Sequence, residues 1–267
     1  MTVQALYTAA TGMQAMETKL DVIANNLANI NTTGFKKGRA NFEDLFYRHY
    51  VQPGLGQSSQ RTATGTSVGL GTRVSSIQTD FKQGAMQLTG NPLDIAIEGA
   101  GFFQVQDIDG GTFLYTRTGN FSVNAEGTLV LGSATAGRVV QPPITIPPDA
   151  ISASVQYDGT VLVTQPGQTT QNSVGQIQIA TFVNPEGLEK MGENLFKESD
   201  ASGANQLGNP GEQGRGKLRS GVLEASNVEP VQELIDLITT QRSFELNSQA
   251  VQAGDQVMSL VANLRRG

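Results

Sequence analysis

The sequence predicts an α+β fold in which long N- and C-terminal α-helices pair as a coiled coil around an inserted, mainly antiparallel β domain. Apolar residues recur every three or four positions near both ends of the chain, which is typical of helices packed along a seam. Between the ends the period changes to two, and glycine-rich turns separate short alternating segments. The expected segments are an N-terminal helix (1–34), an extended connector (35–86), a β-rich outer domain (87–225) and a C-terminal helix (226–267).

The N-terminal helix is predicted from a heptad pattern without a missed position. Its apolar positions are Leu6, Ala9, Met13, Met16, Leu20, Ile23, Leu27 and Ile30. Gly34 is expected to end the helix, and Phe35 to pack against its last turn. Four asparagines fall outside this seam, and each costs about 0.5–0.7 kcal/mol of helix propensity relative to alanine. They are Asn25, Asn26, Asn29 and Asn31.

The outer face of this helix carries little charge. From Gln4 to Asn31 the charged residues are Glu17, Lys19 and Asp21, whereas a surface helix of a monomer normally has a charged face. Small residues let helices approach closely, and amides can pair without a charge cost. We therefore expect Asn25, Asn26 and Asn29 to face neighbouring subunits. The alternative is that the asparagines cap the helix or bond within the connector, which suits Asn31 best. A single antiparallel helix pair would satisfy the seams but leave the uncharged outer faces unexplained.

The C-terminal helix is predicted from two apolar groups and from its end residues. Pro230 is compatible with a first turn, and Glu229 and Glu233 near the start suit the helix dipole. One apolar group is Val231, Leu234, Ile235 and Ile238, and a second, slightly out of phase, is Leu246, Ala250, Ala253, Val257, Leu260 and Leu264. This helix is expected to supply the second half of the coiled coil.

The middle of the chain is predicted to form short strands. The segments "LDIAIEGAGFFQVQ" and "GTFLYTRTGNFSVNAEGTLVL" alternate, and "VQYDGTVLVTQ" is a hairpin signal with Asp158 and Gly159 in the turn. The proline pairs at 142–143 and 147–148 indicate crossings between strands. Two glycine-rich stretches, 52–72 and 199–216, are expected to be loose.

Composition excludes several function classes. The net charge is −6 and no basic stripe exists, so nucleic-acid binding is not expected. No apolar run reaches the length of a membrane span, and the N-terminal residues do not resemble a cleaved secretory signal. These features favour a cytoplasmic protein or one exported without a cleaved signal. The absence of cysteine rules out disulfides and thiol catalysis.

No catalytic, cofactor or metal site is expected. His49 is the only histidine, and it lies in the connector without a carboxylate cluster at metal-ligand spacing. The glycine-containing triplets at 69–71 and 99–101 do not open a helix after a strand, so they do not form a phosphate cradle. The pairs Asp94 with Glu98 and Asp107 with Asp109 have no accompanying nucleophile.

Three ordered motifs carry a resemblance to a known family. "LDVIANNLANINTTGFKKGRANFEDL" is similar to the N-terminal signature of bacterial flagellar rod and hook proteins. "NPLDIAIEGAGFFQV" with "YTRTGNFSVNAEGTLV" resembles the shared β region of that family, and "LEASNVEPVQELIDLITTQRSFELNSQAVQAGDQVM" resembles its C-terminal signature. The connector "FYRHYVQPGLGQSSQRTATGTSVGLGTRV" is most similar to that of distal rod members. Proximal rod members of similar length are the nearest alternative.

The resemblance implies a structural subunit of a helical tube that transmits torque from the flagellar motor to the hook. Implied partners are further copies of the chain, proximal rod proteins below, hook or hook-junction proteins above, the surrounding ring bushing and the flagellar type III export apparatus. The implied location is the flagellar basal body in the periplasm, after export without a cleaved signal.

The resemblance also assigns residues to the assembly. The implied inner-layer and interface residues are Leu6, Met13, Met16, Leu20, Ile23, Asn25, Asn26, Leu27, Asn29, Ile30, Gly34, Phe35, Val231, Leu234, Ile238, Phe244, Asn247, Val257, Leu260 and Leu264. The implied stiffening residues of the connector are Tyr47, Tyr50, Pro53, Gly54, Gly56 and Gly65.

Two other function classes fit the sequence less well. A glycan- or receptor-binding β domain on a stalk would need an exposed aromatic platform, yet the chain has no tryptophan and five tyrosines. A hydrolase would need a catalytic triad or a metal set, and the sequence offers neither.

Overall fold

The computed structural model describes residues 2–52, 64–108, 110–132, 137–167 and 170–264. Long helices lie near both ends of the chain, α1 (Thr2–Ala28) and α2 (Pro230–Leu264), and a short 3-10 turn covers Pro185–Gly187. The strands in chain order are β1 (Gly38–Asp44), β2 (Tyr47–Val51), β3 (Thr66–Gly69), β4 (Thr72–Thr79), β5 (Met86–Leu88), β6 (Ile95–Glu98), β7 (Phe102–Gln106), β8 (Phe113–Thr116), β9 (Phe121–Val123), β10 (Leu129–Leu131), β11 (Arg138–Val139), β12 (Ser152–Val155), β13 (Thr160–Thr164), β14 (Asn172–Gln176), β15 (Ile179–Thr181), β16 (Glu189–Gly192), β17 (Leu195–Lys197), β18 (Gln206–Gly208), β19 (Lys217–Ser220) and β20 (Val222–Glu224).

The chain divides into two compact units. The first, which we call the helical unit, comprises Met1–Ala28, Gly38–Thr79 and Glu229–Gly267, and the second, the β-rich unit, comprises Asn29–Lys37 and Asp80–Val228. Each unit therefore gathers segments that are distant in the sequence. The α+β class with antiparallel strand pairing is confirmed. The division into four consecutive segments stays a prediction.

In the helical unit, α1 and α2 lie side by side, together with two small antiparallel ribbons. Strand β1 pairs with β4, with an irregularity between Asn41 and Phe42, and β2 pairs with β3. The turn before β4 approaches α1 closely, because a side chain at Gly71 would collide with the hydroxyl of Thr11. Within the described residues, neither helix combines the length and hydropathy needed to span a bilayer.

Helix α1 ends earlier than the sequence pattern predicts. It stops at Ala28 rather than at Gly34, and Asn29 begins a turn in which the Thr32 N–H donates to the Asn29 carbonyl at 3.1 Å. The Thr32 hydroxyl also donates to the side-chain oxygen of Asn29 at 3.2 Å. Asparagine and threonine side chains compete with helical hydrogen bonds in this way, which favours a turn over further helix. Gly34 instead takes a left-handed conformation, with φ of 69°.

The β-rich unit is built around a six-stranded antiparallel sheet of order β16-β17-β8-β7-β15-β18. Two three-stranded sheets, β9-β10-β11 and β12-β13-β14, and the pairs β5–β20 and β6–β19 complete it. Successive residues of a strand point to opposite faces, so Phe103 joins the main core and Phe102 joins a second cluster. The Phe103 ring meets that of Phe121 edge to face at 4.9 Å.

Several predicted strands are confirmed. The alternating segments form β6, β7, β8 and β9, and the predicted hairpin is β12–β13 with Gly159 at φ 85°. The proline pairs lie outside the strands, between β11 and β12. The stretch 199–216, which was expected to be loose, instead contains β18, an edge strand of the six-stranded sheet. Much of the stretch 52–72 lies outside the described residues, and its last part forms β3.

Candidate self-assembly surfaces

Helices α1 and α2 pair in an antiparallel direction through small and polar side chains. Leu6 of α1 lies beside Gly254 of α2, where an added Cβ would be 2.5 Å from the leucine Cδ2. Further along, an added Cβ at Gly12 would be 3.1 Å from the Asn247 amide nitrogen. Glycine on each helix therefore permits close approach of the other. Coiled-coil packing of this pair stays a prediction.

Asn26 connects three parts of the helical unit. Asn26 is 2% exposed, and its side-chain amide donates to the Gly38 carbonyl at 3.0 Å and to Glu233 Oε2 at 3.2 Å. Its side-chain oxygen accepts from the Gly38 N–H at 2.9 Å. This differs from the favoured expectation that Asn26 faces another subunit, and it agrees with the alternative of bonding within the connector. The amide is buried within its own chain because it satisfies a strand end and a buried carboxylate there.

The side of α2 that faces α1 is polar. Glu233 and Thr240 are 5% and 1% exposed, and Asn247 and Gly254 follow at the same heptad spacing. The Thr240 hydroxyl donates to the backbone carbonyl of Asp236 at 2.6 Å, so this buried group is paired within the helix. The contact between the helices in one chain therefore does not use the predicted apolar seam of α2.

The apolar side chains of α2 are exposed instead. Their exposed fractions run from 36% for Phe244 to 82% for Leu264. The exposed set is Val231, Leu234, Ile235, Ile238, Phe244, Leu246, Val257, Met258, Leu260, Val261 and Leu264. Helical spacing places Phe244, Met258 and Val261 toward the polar side, and the other eight share the opposite side, which we call the apolar face of α2. Large exposed apolar patches mark interaction sites in soluble proteins. The role of these residues as an assembly interface stays a prediction, and the single chain leaves them accessible.

The predicted residues near the N-terminus are less uniform in burial. Ile23 is buried at 4% exposure, Asn25 is exposed, and Gly34 is buried in the β-rich unit, where an added Cβ would be 2.9 Å from the Thr118 hydroxyl. Half-buried positions are Leu6, Met13, Met16, Leu20, Leu27, Asn29, Ile30 and Phe35. Asn247 of α2 is also half-buried. A second, exposed side of α1 consists mainly of small or polar residues, including Ala10, Gln14, Ala24 and Asn25.

The connector residues that the structure describes form an exposed ribbon. Tyr47 and Tyr50 of β2 are 50% and 52% exposed, and the Arg48 guanidinium lies 5.2 Å from the ring centre of Tyr50. Gly65 is exposed beside β3. Pro53, Gly54 and Gly56 lie outside the described residues. A two-stranded ribbon has little stability by itself in water, so a surface that packs against it would stabilise it.

A buried ionic cluster in the β-rich unit was not found by sequence reasoning. The Lys36 ammonium donates to Glu224 Oε1 at 2.6 Å, and Arg117 Nη1 lies 3.6 Å from Glu224 Oε2. The Gly84 N–H also donates to Glu224, at 2.9 Å. Burial lowers the pKa of Lys36, and the carboxylate of Glu224 opposes that shift. Burial likewise lowers the pKa of Arg117.

The cluster joins the three motifs on which the family resemblance rests. Lys36 belongs to the N-terminal motif, Arg117 to the β-region motif and Glu224 to the C-terminal motif. Each motif contains several charged residues, and no local pattern distinguishes these three, so the sequence offered no signal for the cluster. The cluster holds distant segments of the β-rich unit together rather than facing a substrate.

The described residues contain no group of histidine, cysteine, aspartate and glutamate side chains arranged to hold a metal ion. His49 lies exposed on β2.

Two long terminal helices, one with an exposed apolar face, are typical of subunits that complete their packing by association. The class defined by this fold and these surfaces is therefore that of structural assembly subunits.

Comparison with known proteins gives the family. Family models match as "Flagella basal body rod protein" over residues 6–36, "Flagellar hook protein FlgE/F/G D1 domain" over 96–163 and "Flagellar basal body rod FlgEFG protein C-terminal" over 219–264. The flagellar basal-body rod protein FlgG of Caulobacter vibrioides is 44% identical over 98% of this chain and 99% of its own length. FlgG of Borreliella burgdorferi is 42% identical with the same coverage, whereas the flagellar hook protein FlgE of Salmonella typhimurium is 25% identical over 96% of this chain and 99% of its own.

The chain belongs to the family of flagellar basal-body rod proteins. It is a structural subunit of the distal rod of the flagellar basal body and not an enzyme. Membership of this family implies self-polymerisation and contact with neighbouring rod or hook components.

Proposed function

We propose that the chain polymerises into a helical tube that acts as a drive shaft, transmitting torque from the flagellar motor to the hook. The observation that carries this proposal is the apolar face of α2, on which Leu246, Leu260 and Leu264 are 65%, 63% and 82% exposed. Burying one such side chain fully contributes about 1.5–3 kcal/mol. Association of several copies through this face would therefore be strongly favourable.

The tube requires contacts that do not close into a ring. Head-to-tail association through two different surfaces generates an open helix when the rotation does not close. The apolar face of α2 and the exposed side of α1, with its small residues and Asn25, offer two such surfaces. In the polymer, helices of neighbouring copies would pack as the coiled-coil layer that lines the tube. Residues of both helices named above as interface residues would belong to this layer.

The connector would stiffen the polymer. Tyr47 and Tyr50 present aromatic surface on a ribbon that gains stability when a neighbouring copy packs on it. The segment from Gly54 to Thr66, most of which lies outside the described residues, would continue this contact. A polymer of a chain lacking 54–66 should bend more easily, as measured by its persistence length in electron micrographs. An equally stiff polymer would contradict a stiffening role.

The remaining partners follow from the position of a distal rod. Proximal rod proteins would bind below, hook or hook-junction proteins above, and a ring bushing would surround the tube. Delivery of subunits to this position in the periplasm would occur through the flagellar type III export apparatus, without a cleaved signal. The low charge of α1, whose charged residues are Glu17, Lys19 and Asp21, supports its burial in an assembly rather than exposure to water.

Sedimentation of the full-length chain tests the central proposal. The wild-type chain should form polymers as its concentration rises, and Leu246→Ser combined with Leu260→Ser should raise the required concentration by at least about tenfold. A matched control replaces two equally exposed apolar residues of the β-rich unit, Ile151→Ser with Val183→Ser, which are 70% and 79% exposed. The control pair should sediment like wild type.

Two results would contradict the proposal. A wild-type chain that remains a single particle at high concentration would remove the basis for a polymer. Equal effects of the α2 pair and the control pair would show that general surface polarity, and not the apolar face of α2, governs association.

A further inference from the structure

One face of the six-stranded sheet, the face that carries Phe102 and Tyr115, contains a polar cavity separate from the helical surfaces. Its volume is about 610 Å³, within the range of small-ligand sites. Gln104 of β7 and Tyr115 of β8 pair across the sheet and line it, and Gln178, Phe113, Gln141 and Asn205 surround them. All these residues belong to the β-rich unit.

Gln104 is the first sign that the cavity receives a ligand. The residue as a whole is 4% exposed, but its amide atoms are not among the fully buried unpaired side-chain atoms of the described ranges, so the amide group reaches the cavity surface. Gln178 lies opposite Gln104, because the antiparallel register pairs Ile179 with Phe103 and Ala180 with Phe102. Gln178 is half-buried, so two neighbouring amides at the cavity surface offer both donors and acceptors to a complementary group.

The chemistry of the walls favours a neutral ligand. The amide of Asn205 donates to the hydroxyl of Tyr115, which lies 3.4 Å from Glu198 Oε2. Burial raises the pKa of Tyr115 to about 12, so its hydroxyl stays protonated and uncharged at neutral pH. Lys197 and Glu198 line the cavity side by side with opposite charges. The cavity therefore has hydrogen-bonding capacity without an excess of either charge.

One edge of the cavity is apolar. The ring of Phe113 is 49% exposed and lies among the lining residues. Gln104 and Tyr115 lie on the paired central strands β7 and β8, and Leu207 of the edge strand β18 borders the cavity. Added strands pair with sheet edges, so the part of the cavity over β7 and β8 offers no free backbone to an extended peptide. A ligand with hydroxyl and amide groups on one side and a C–H face on the other fits better.

We propose that this cavity binds a neutral, N-acetylated sugar. The acetamido group would pair with the amides of Gln104 and Gln178, and the sugar ring would pack on Phe113. Amide side chains can donate and accept at once, which matches the acetamido group in both directions. This site is separate from the surfaces proposed for polymerisation, because its lining residues all belong to the β-rich unit.

Saturation-transfer NMR with the full-length chain tests the proposal. The probe is tri-N-acetylchitotriose, titrated up to about 10 mM, with maltotriose as a neutral sugar that lacks acetamido groups. We expect saturation of the acetamido methyl signals, and binding of chitotriose at least about fivefold tighter than that of maltotriose. Phe113→Ala and Gln178→Ala should each weaken chitotriose binding about tenfold.

Matched control variants lie outside the cavity. Tyr157→Ala removes an aromatic ring that is 67% exposed, and Gln156→Ala removes an exposed amide. Both controls should bind chitotriose like wild type. A circular dichroism melt of each variant separates lost binding from lost folding. The proposal is overturned if chitotriose gives no saturation transfer, if maltotriose binds equally well, or if folded Phe113→Ala and Gln178→Ala bind like the controls.

Discussion

The β-rich unit and the helical unit place their apolar side chains in opposite ways. In the β-rich unit Ile97, Phe103 and Leu218 are fully buried, whereas α2 in the helical unit buries Glu233 and Thr240 and exposes its large aliphatic residues. Hydrophobic burial contributes about 25 cal/mol per Å² of apolar surface. The β-rich unit therefore obtains this stabilisation within one chain, while much of it becomes available to the helical unit only on association.

The largest expected effect comes from truncating one apolar side chain in each unit. Phe103→Ala should lower the free energy of unfolding by about 4 kcal/mol, because it leaves a cavity beside Phe121 in the main core. Leu260→Ala, at a residue 63% exposed, should cost less than about 0.5 kcal/mol in the dilute chain. Denaturant unfolding at low protein concentration measures both. Similar losses for the two variants would mean that α2 buries its apolar face within one chain.

The ionic cluster of the β-rich unit gives the second prediction. Glu224→Gln keeps the shape of the side chain but leaves Lys36 and Arg117 buried without a counter-charge, and it should cost about 3 kcal/mol. The matched control is Glu43→Gln, which breaks an exposed pair with Arg73 and should cost less than about 0.5 kcal/mol. Thermal unfolding compares the two. A tolerated Glu224→Gln would show that the carboxylate charge contributes little.

The sequence predicted the β-rich unit well because its signals are local. Strict alternation located β6 and β7, and Asp158 with Gly159 identified the turn between β12 and β13. The end of α1 was misplaced because Asn29 and Thr32 form a side-chain hydrogen bond that favours a turn before Gly34 is reached. Residue propensities alone do not determine whether the helix ends at the Asn29 turn or continues to Gly34.

The assembly surfaces were harder to predict, because a helix face can pack against its own chain or against another copy. Periodicity located the apolar residues of α2, such as Leu260, but it does not distinguish an intrachain partner from a second copy. The same limit explains Asn26, whose partners Gly38 and Glu233 are its own chain's residues. The pairing of Lys36 with Glu224 spans most of the chain, and no local pattern links these two charges.

The third prediction concerns the polar interior of the helical unit. Asn26→Ala removes the hydrogen bonds to Gly38 and leaves Glu233 buried without this donor, so it should cost about 2 kcal/mol. Gln14→Ala removes an exposed amide of the same helix and should cost less than about 0.5 kcal/mol. Hydrogen exchange of the α1 amides measures both effects locally. Equal protection in the two variants would show that the buried amide does not hold the helices together.

The smallest effect is a pH dependence confined to the β-rich unit. Burial raises the pKa of Tyr115 to about 12 from an ordinary value near 10. Below pH 10 the hydroxyl is protonated in both the folded and unfolded chains, so its contribution is constant. Between about pH 10 and 12 the unfolded chain loses this proton while the folded chain keeps it, and stability falls as pH rises, by about 1 kcal/mol at pH 11.

Tyr115→Phe should remove this alkaline loss, while Tyr157→Phe, at a residue 67% exposed, should retain it. Denaturant midpoints between pH 9 and pH 11 measure the slope, which separates ionisation from any pH-independent cost of losing the hydrogen bonds to Asn205 and Glu198. If Tyr115→Phe keeps the wild-type slope, the hydroxyl ionises as easily in the folded chain as in the unfolded one. The Tyr115 side of the sheet would then be open to water, and the β-rich unit would be less closed than its burial indicates.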